Sequence, residues 1–233
     1  EEVAAPPGRA IQIVVGDGLD AGSSSAEPPA VSVAIRLDPS RWTSLADHCL
    51  DGVPVLPFAL ALELLAREAR VLFPACALIG LDDVRVLQGV VLDGPTDLMP
   101  VCGEPVRGAA VITVPVELRD GSGRARIRGQ VRLRPLGVAP EPVPPAVAPP
   151  AILSPWLGGM STVYGEALFH GPAFQCITGV QGTWESGIAV QARRAPPPGQ
   201  WLAGDGSGSW SVDPWVVDGI FQALILWCRA VAG

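Results

Sequence analysis

The side chains best suited to proton transfer are few. The 233 residues include two histidines, His48 and His170, and one tyrosine, Tyr164. Five cysteines and 23 carboxylates complete the reactive set, and lysine is absent. Without lysine there is no Schiff-base chemistry and no GxxxxGK phosphate loop. The two histidines lie far apart in sequence, so no local metal-binding cluster is expected. His48 stands in the run HCLDGVPVLP, residues 48–57. Gly52 follows four residues later and Pro57 closes the run. A glycine lets backbone approach a ligand closely. Free N–H groups near a helix start can hold a carbonyl that gains negative charge. A nearby histidine accepts a proton at neutral pH. Together they suit removal of a proton next to a carbonyl. On its own, His48 reads more readily as a structural residue than as a base. The second candidate pair is Asp218 and Gln222, spaced i and i+4 and so on one helix face. Their neighbours include Val216, Val217, Ile220, Phe221 and Leu224. Such surroundings raise a carboxyl pKa and suit a general acid that Gln222 orients. The competing reading is an acid placed in a helix first turn by the dipole.

Two apolar helices must position these residues. FALALELLAREARVLF, 58–73, has Pro57 at its first turn and Pro74 as its stop. Glu63, Arg67 and Arg70 make a narrow polar stripe, with Glu68 beside it, so other structure is expected to cover most of this helix. The second helix is expected at 213–231, with Asp213 as N-cap and Pro214 at the first helical position. Short strands are read at 10–15 and 31–37, then at 83–92, 108–118 and 124–134. RDGSG joins the last two as a hairpin. Arg124, Arg126, Arg128, Arg132 and Arg134 all fall on one strand face. That stripe reads either as an anion site or, as we favour, as a solvated outer sheet face. FQCITGVQGTW and GIAVQARR are expected to be two further strands.

The chain thus repeats one theme, strands plus a single apolar helix. The boundaries are a first unit at 1–135, a Pro/Ala linker at 136–150 and a second unit at 151–233. The second unit stops after its helix, and a complete second sheet would need about 40–60 more residues. Hydrophobic residues make up 48% and charged residues 17%, against about 25% charged in an average chain, so the chain can bury a large core. Gly 27 and Pro 25 predict long loops. A net charge of −7 argues against nucleic acid. Cysteines odd in number and without CxxC spacing fit reduced thiols in the cytoplasm. Cys49, next to His48, is expected to point to the opposite face. The first ten residues lack a signal-peptide core. No apolar run reaches the ~18 residues of a membrane span.

HCLDGVPVLP matches HxxxGxxxxP, a signature of the dehydratase domains of polyketide and polyunsaturated fatty acid synthases. DPWVVDGIFQ resembles their second signature, an Asp followed four residues later by Gln or His. LFHGPAFQ, 168–175, resembles their intervening GPxFQ motif, in wording closest to the polyunsaturated fatty acid and enediyne synthase type. The resemblance runs from about residue 10 to the end of the chain. It implies an α+β double hot-dog fold, two antiparallel sheets each wrapped around a long apolar helix. It also implies roles. His48 removes the α-proton of a β-hydroxyacyl thioester, Asp218 protonates the departing hydroxyl, and Gln222 positions it. The Gly52 amide matches the position that binds the thioester carbonyl. Pro57, Gly171 and Pro172 line the site, and Tyr164 lies where a residue contacts the hydroxyl. His170 occupies a place where relatives often have Tyr and is read as structural, at the site entrance. No cofactor or metal is implied. The substrate rides on the phosphopantetheine of an acyl carrier protein, the partners are other synthase domains, and homodimers are common. A product-template-like aldol cyclase shares the His/Asp pair, although Gln222 favours dehydration. A silent domain that only binds carrier protein is the reading from another class.

Overall fold

Helix α1, Phe58–Leu72, is the centre of the first unit. The computed structural model describes residues 34–140, 142, 148–201 and 208–232. The strand expected at 10–15 lies outside them. Pro57 is the residue before α1 rather than its first, and its carbonyl accepts the Ala61 N–H at 3.1 Å. Leu60, Leu64, Leu65 and Ala69 pack into one cluster with Val114, Val116, Leu118, Ile127, Val131 and Leu133. Those partners come from an antiparallel sheet of six strands. They are β1 (Ile35–Leu37), β4 (Cys76–Val86), β5 (Thr96–Cys102), β6 (Val106–Arg107), β7 (Ile112–Asp120) and β8 (Ala125–Pro135). Their order is β1-β5-β7-β8-β4, with β6 on β7. A small hairpin of β2 (Cys49–Leu50) and β3 (Val53–Pro54) precedes α1.

Two expectations shift. β4 begins at Cys76, right after α1, and not at residue 83. The stretch beyond Leu87 leaves the sheet and pairs with the β3 region, Leu56 N–H to Val90 O and Leu92 N–H to Pro54 O. β5 is absent from the sequence reading, because Pro100 breaks a strand pattern. It fits because β1 pairs only with Thr96–Leu98, so no partner on that side needs a donor from Pro100. The arginine face behaves as a solvated surface. Ile127, Val131 and Leu133 are buried, while the alternating arginines face out, Arg126 onto Asp120 and Arg132 onto Asp82.

The second unit has α2 (Met160–Thr162) running into a wide helical turn at Val163–Ala167, then β9 (Ile177–Trp184), β10 (Gly187–Ala192), α3 (Pro198–Trp201) and α4 (Pro214–Ala232). Asp213 caps α4 as expected, its Oδ1 accepting the N–H groups of Trp215 and Val216. The expected sheet wrapped around this helix is, among the described residues, a two-stranded ribbon. It packs along one side of α4 and leaves Val216, Ile220 and Leu224 about 40% exposed. Contrary to the sequence expectation, Pro214–Val231 is long and apolar enough to cross a membrane, with a mean hydropathy of 1.3 over 18 residues. It nevertheless lies against α1 within the protein. Ala59, Leu62 and Ala66 of α1 form a cluster with Val212 and Val217, and Phe221 packs against it. Most of the expected linker, at 141 and 143–147, is outside the described residues.

Candidate active site

His48 follows a short 3-10 turn, Thr43–Asp47. Its carbonyl accepts the Val55 N–H at 3.0 Å across the β2–β3 hairpin. Two residues turn that hairpin, Asp51 with φ 51° and Gly52 with φ 78°. Both are left-handed, as a tight hairpin needs, and Asp-Gly supplies them cheaply. Gly52 therefore sits at an exposed tip, outside the buried cluster around His48. The His48 ring is 8% exposed and faces Phe169, His170 and Phe174 at 5.1–5.4 Å between ring centres. Its Nδ1 is 3.1 Å from the Val55 carbonyl. A carbonyl only accepts, so Nδ1 carries the hydrogen and Nε2 keeps a free lone pair. Burial lowers the His48 pKa below 6.5, which keeps the ring neutral.

Asp218 and Gln222 share the inner face of α4, at 4% and 0% exposure. Gln222 Nε2 donates to Asp218 Oδ2 at 2.6 Å and to the Phe174 carbonyl at 2.8 Å. Gln222 Oε1 accepts the Tyr164 hydroxyl at 2.8 Å, and that hydroxyl accepts the Ile177 N–H at 2.8 Å. Every polar atom of the Gln222 amide is therefore used, and the amide orientation is fixed by its partners. Burial raises the Asp218 pKa to about 6, with the Gln222 bond opposing. A protonated fraction survives near neutral pH.

The fold joins His48 to Asp218 through His170. One ligand-capable atom from each of these three lies within 4.8 Å of the others. His170 Nε2 is 3.4 Å from Asp218 Oδ2. Burial, then the neighbouring His48, lowers the His170 pKa to about 4, so this contact is not an ion pair at neutral pH. Two expectations are corrected. His170 is 4% exposed and forms the inner wall, not the entrance. The histidines also cluster despite their separation in sequence. Tyr164 holds Gln222 rather than standing free for a substrate hydroxyl. It borders an open groove of about 660 Å³ with Met160, Ser161, Gln175, Thr178 and Arg193.

Gly171 and Pro172 serve a junction. The Gly171 N–H donates to the Asp47 carbonyl at 2.7 Å, and the Ala173 N–H donates to Asp47 Oδ2 at 2.7 Å. A β-carbon on Gly171 would lie 2.6 Å from Asp47 Oδ1, so any other residue must push the Asp47 side chain aside. Pro172 is exposed and opens the short turn to Phe174. Sequence reasoning missed Asp47, because its partners are 126 positions away. Cys49 donates to the Ala46 carbonyl, away from the His48 ring contacts. Burial pushes the Cys176 thiol up to about 12, which makes it a poor nucleophile.

The arrangement offers a neutral base, a raised-pKa acid, and a dry setting between two helices. No family model matches the chain. A polyunsaturated fatty acid synthase subunit from a Thraustochytrium species is 31% identical over 191 residues, 81% of this chain. The chain spans about 7% of that protein's length. Among solved structures, the dehydratase domain of the polyketide PpsC from Mycobacterium tuberculosis aligns with a TM-score of 0.61 at 22% identity, covering 90% of this chain and 76% of that one. The dehydratase domain from the terminal module of the rifamycin polyketide synthase aligns at 0.59 and 18% identity, covering 84% and 70%.

Proposed function

We propose that this chain, which has the fold of polyketide synthase dehydratase domains and a sequence relative in a polyunsaturated fatty acid synthase, removes water from a β-hydroxyacyl thioester. The observation that carries the reading is the buried meeting of His48 with Asp218. Elimination needs a base at the α-carbon and an acid at the β-oxygen, both on one side of a short segment. His48 Nε2 takes the α-proton. Asp218 delivers a proton to the departing hydroxyl, which leaves as water, and the α,β double bond forms. Gln222 holds Oδ2, so the acid proton sits on Oδ1. The developing oxyanion of the thioester calls for a backbone N–H donor, and the Gly52 amide expected in that role sits instead at the exposed tip of the β2–β3 hairpin. Pro57 is buried where the β2–β3 hairpin meets α1. The chemistry uses no cofactor.

The substrate is proposed to ride on the phosphopantetheine of an acyl carrier protein, inside a cytoplasmic multidomain synthase. The groove beside Tyr164 is the support for this, since Tyr164 borders it and donates to Gln222, which holds Asp218. The test is loss of water from 3-hydroxyacyl pantetheine thioesters of several chain lengths, followed by mass spectrometry. We expect His48→Ala and Asp218→Asn to lower turnover by about 10²–10⁴-fold. Unchanged turnover in both variants would overturn the assignment. An aldol cyclase would instead leave these thioesters intact and close poly-β-ketone chains.

A further inference from the structure

We propose that His48, His170 and Asp218 form a three-ligand site for Zn²⁺ and that an occupied site blocks catalysis. The donor set is two imidazoles and a carboxylate, which suits a borderline-soft divalent metal and leaves one tetrahedral position open. All three residues are buried, with exposures of 8%, 4% and 4%. Zinc–ligand bonds of about 2.0–2.2 Å put neighbouring ligand atoms of a tetrahedral site about 3.3–3.5 Å apart. The His170 Nε2 to Asp218 Oδ2 distance, 3.4 Å, already meets that. The whole trio lies within 4.8 Å, so a shift of the His48 nitrogen by about 1–1.5 Å closes the two remaining edges, both of which run to His48.

The partners behind the ligands carry the argument further. Metal-bound histidines donate their second ring N–H to a carbonyl or carboxylate, and ligating carboxylates are themselves hydrogen-bonded. His48 Nδ1 already donates to the Val55 carbonyl, which leaves Nε2 as the ligand atom. Asp218 Oδ2 already accepts from Gln222. His170 contributes a 97%-buried ring whose Nε2 is aimed at Asp218, and unlike His48 its second nitrogen, Nδ1, has no acceptor behind it. A neutral buried imidazole is a ready donor. Zinc would engage the His48 lone pair and the Asp218 carboxylate, the two groups that elimination needs. The inhibitory consequence rests on the dehydratase reading. The metal site does not.

The test uses the intact chain and Co²⁺ as a coloured stand-in for zinc. We expect saturable visible ligand-field bands that Zn²⁺ displaces. They should vanish in His170→Phe and in the near-isosteric Asp218→Asn, and Gln222→Ala should weaken binding about 10–100-fold. Thioester dehydration should fall as the bands saturate and return on chelation. Absence of bands at millimolar Co²⁺ would overturn the site. So would bands that persist in both variants, or a sulfur-to-cobalt charge-transfer band, which marks one of the cysteines as the ligand. Bands without any slowing of an active wild type would overturn the competition. Bands in a chain that never dehydrates a thioester would uphold the site and remove the dehydratase reading instead.

Discussion

The acid of the proposed dyad is aimed by a relay that begins outside it. Ile177 N–H meets Tyr164, Tyr164 donates to Gln222, and Gln222 donates to Asp218. Each link is a neutral group in a dry setting, where an unmade bond costs more than a made one contributes. Removing only the hydroxyl should expose this. Tyr164→Phe leaves the Ile177 N–H and Gln222 Oε1 without partners. We predict a loss of about 1–3 kcal/mol in urea unfolding. A freed Gln222 also lets Asp218 rotate, so kcat should fall about tenfold with KM little changed. Stability and kcat both at wild-type values would show that the relay is not what holds Asp218. The His48, Asp218 and Gln222 positions were legible because their spacing repeats known signatures. His170 and Asp47 were not, since their roles depend on which distant residues the chain folds against them.

At the scale of the element, α1 carries a group that the chemistry does not use. Glu63 is 3% exposed, and its Oε2 accepts the Val212 N–H at 2.6 Å, tying α1 to the entry of α4. Arg70 reaches Ser211 in the same segment at 3.0 Å. Burial raises the Glu63 pKa from 4.5 to about 7, against the pull of the Val212 and Ser211 N–H groups. A folded pKa above the unfolded one means that the folded state binds more protons in between. Stability is therefore greatest below about pH 4.5 as far as Glu63 is concerned, falls as pH rises to about 7, and is level above. A gap of this size corresponds to about 3 kcal/mol. Asp218, raised to about 6, acts in the same direction over a lower range. Glu63→Gln keeps an acceptor for Val212 and removes the charge. Its urea midpoints should lose the decline between about pH 6 and 7 and keep the part due to Asp218. An unaltered slope in Glu63→Gln would place the titration elsewhere. This stripe of α1 was visible in sequence as a polar line, but its burial was not. The α1 span, the RDGSG turn and the Asp213 cap were readable because each is set by local chemistry. The start of β4 and the existence of β5 were not, because the sheet accepts Pro100 only through the short reach of β1.

For the whole molecule, the question is what couples the two units across the dyad. Phe174, Trp201 and Trp215 from the second unit belong to the same buried cluster as Leu60, Leu65 and Val131 from the first. A shared core argues for one cooperative transition rather than two. Besides the Glu63 and Arg70 ties, a polar part of the junction lies at Asp47, directly before His48, where two backbone N–H groups of the GPA segment converge. Asp47 and Gly171 thus help to keep His48 and His170 neighbours. Gly171→Ala places a methyl group 2.6–2.8 Å from the Asp47 side chain, so the carboxylate must leave Ala173. Overpacking of this kind costs about 1–3 kcal/mol. The loss should fall on the coupling more than on either unit, and a suitable pair of signals exists. Six of the seven tryptophans follow residue 150, whereas the large sheet dominates the strand signal in circular dichroism. In the wild type, fluorescence and circular dichroism should give coincident urea transitions. In Gly171→Ala the fluorescence transition should move to lower urea and separate from the other, and Asp47→Ala should do the same. Transitions that shift together in both variants would mean that the apolar cluster, with the Glu63 and Arg70 ties, couples the units and that Asp47 serves only to hold His48.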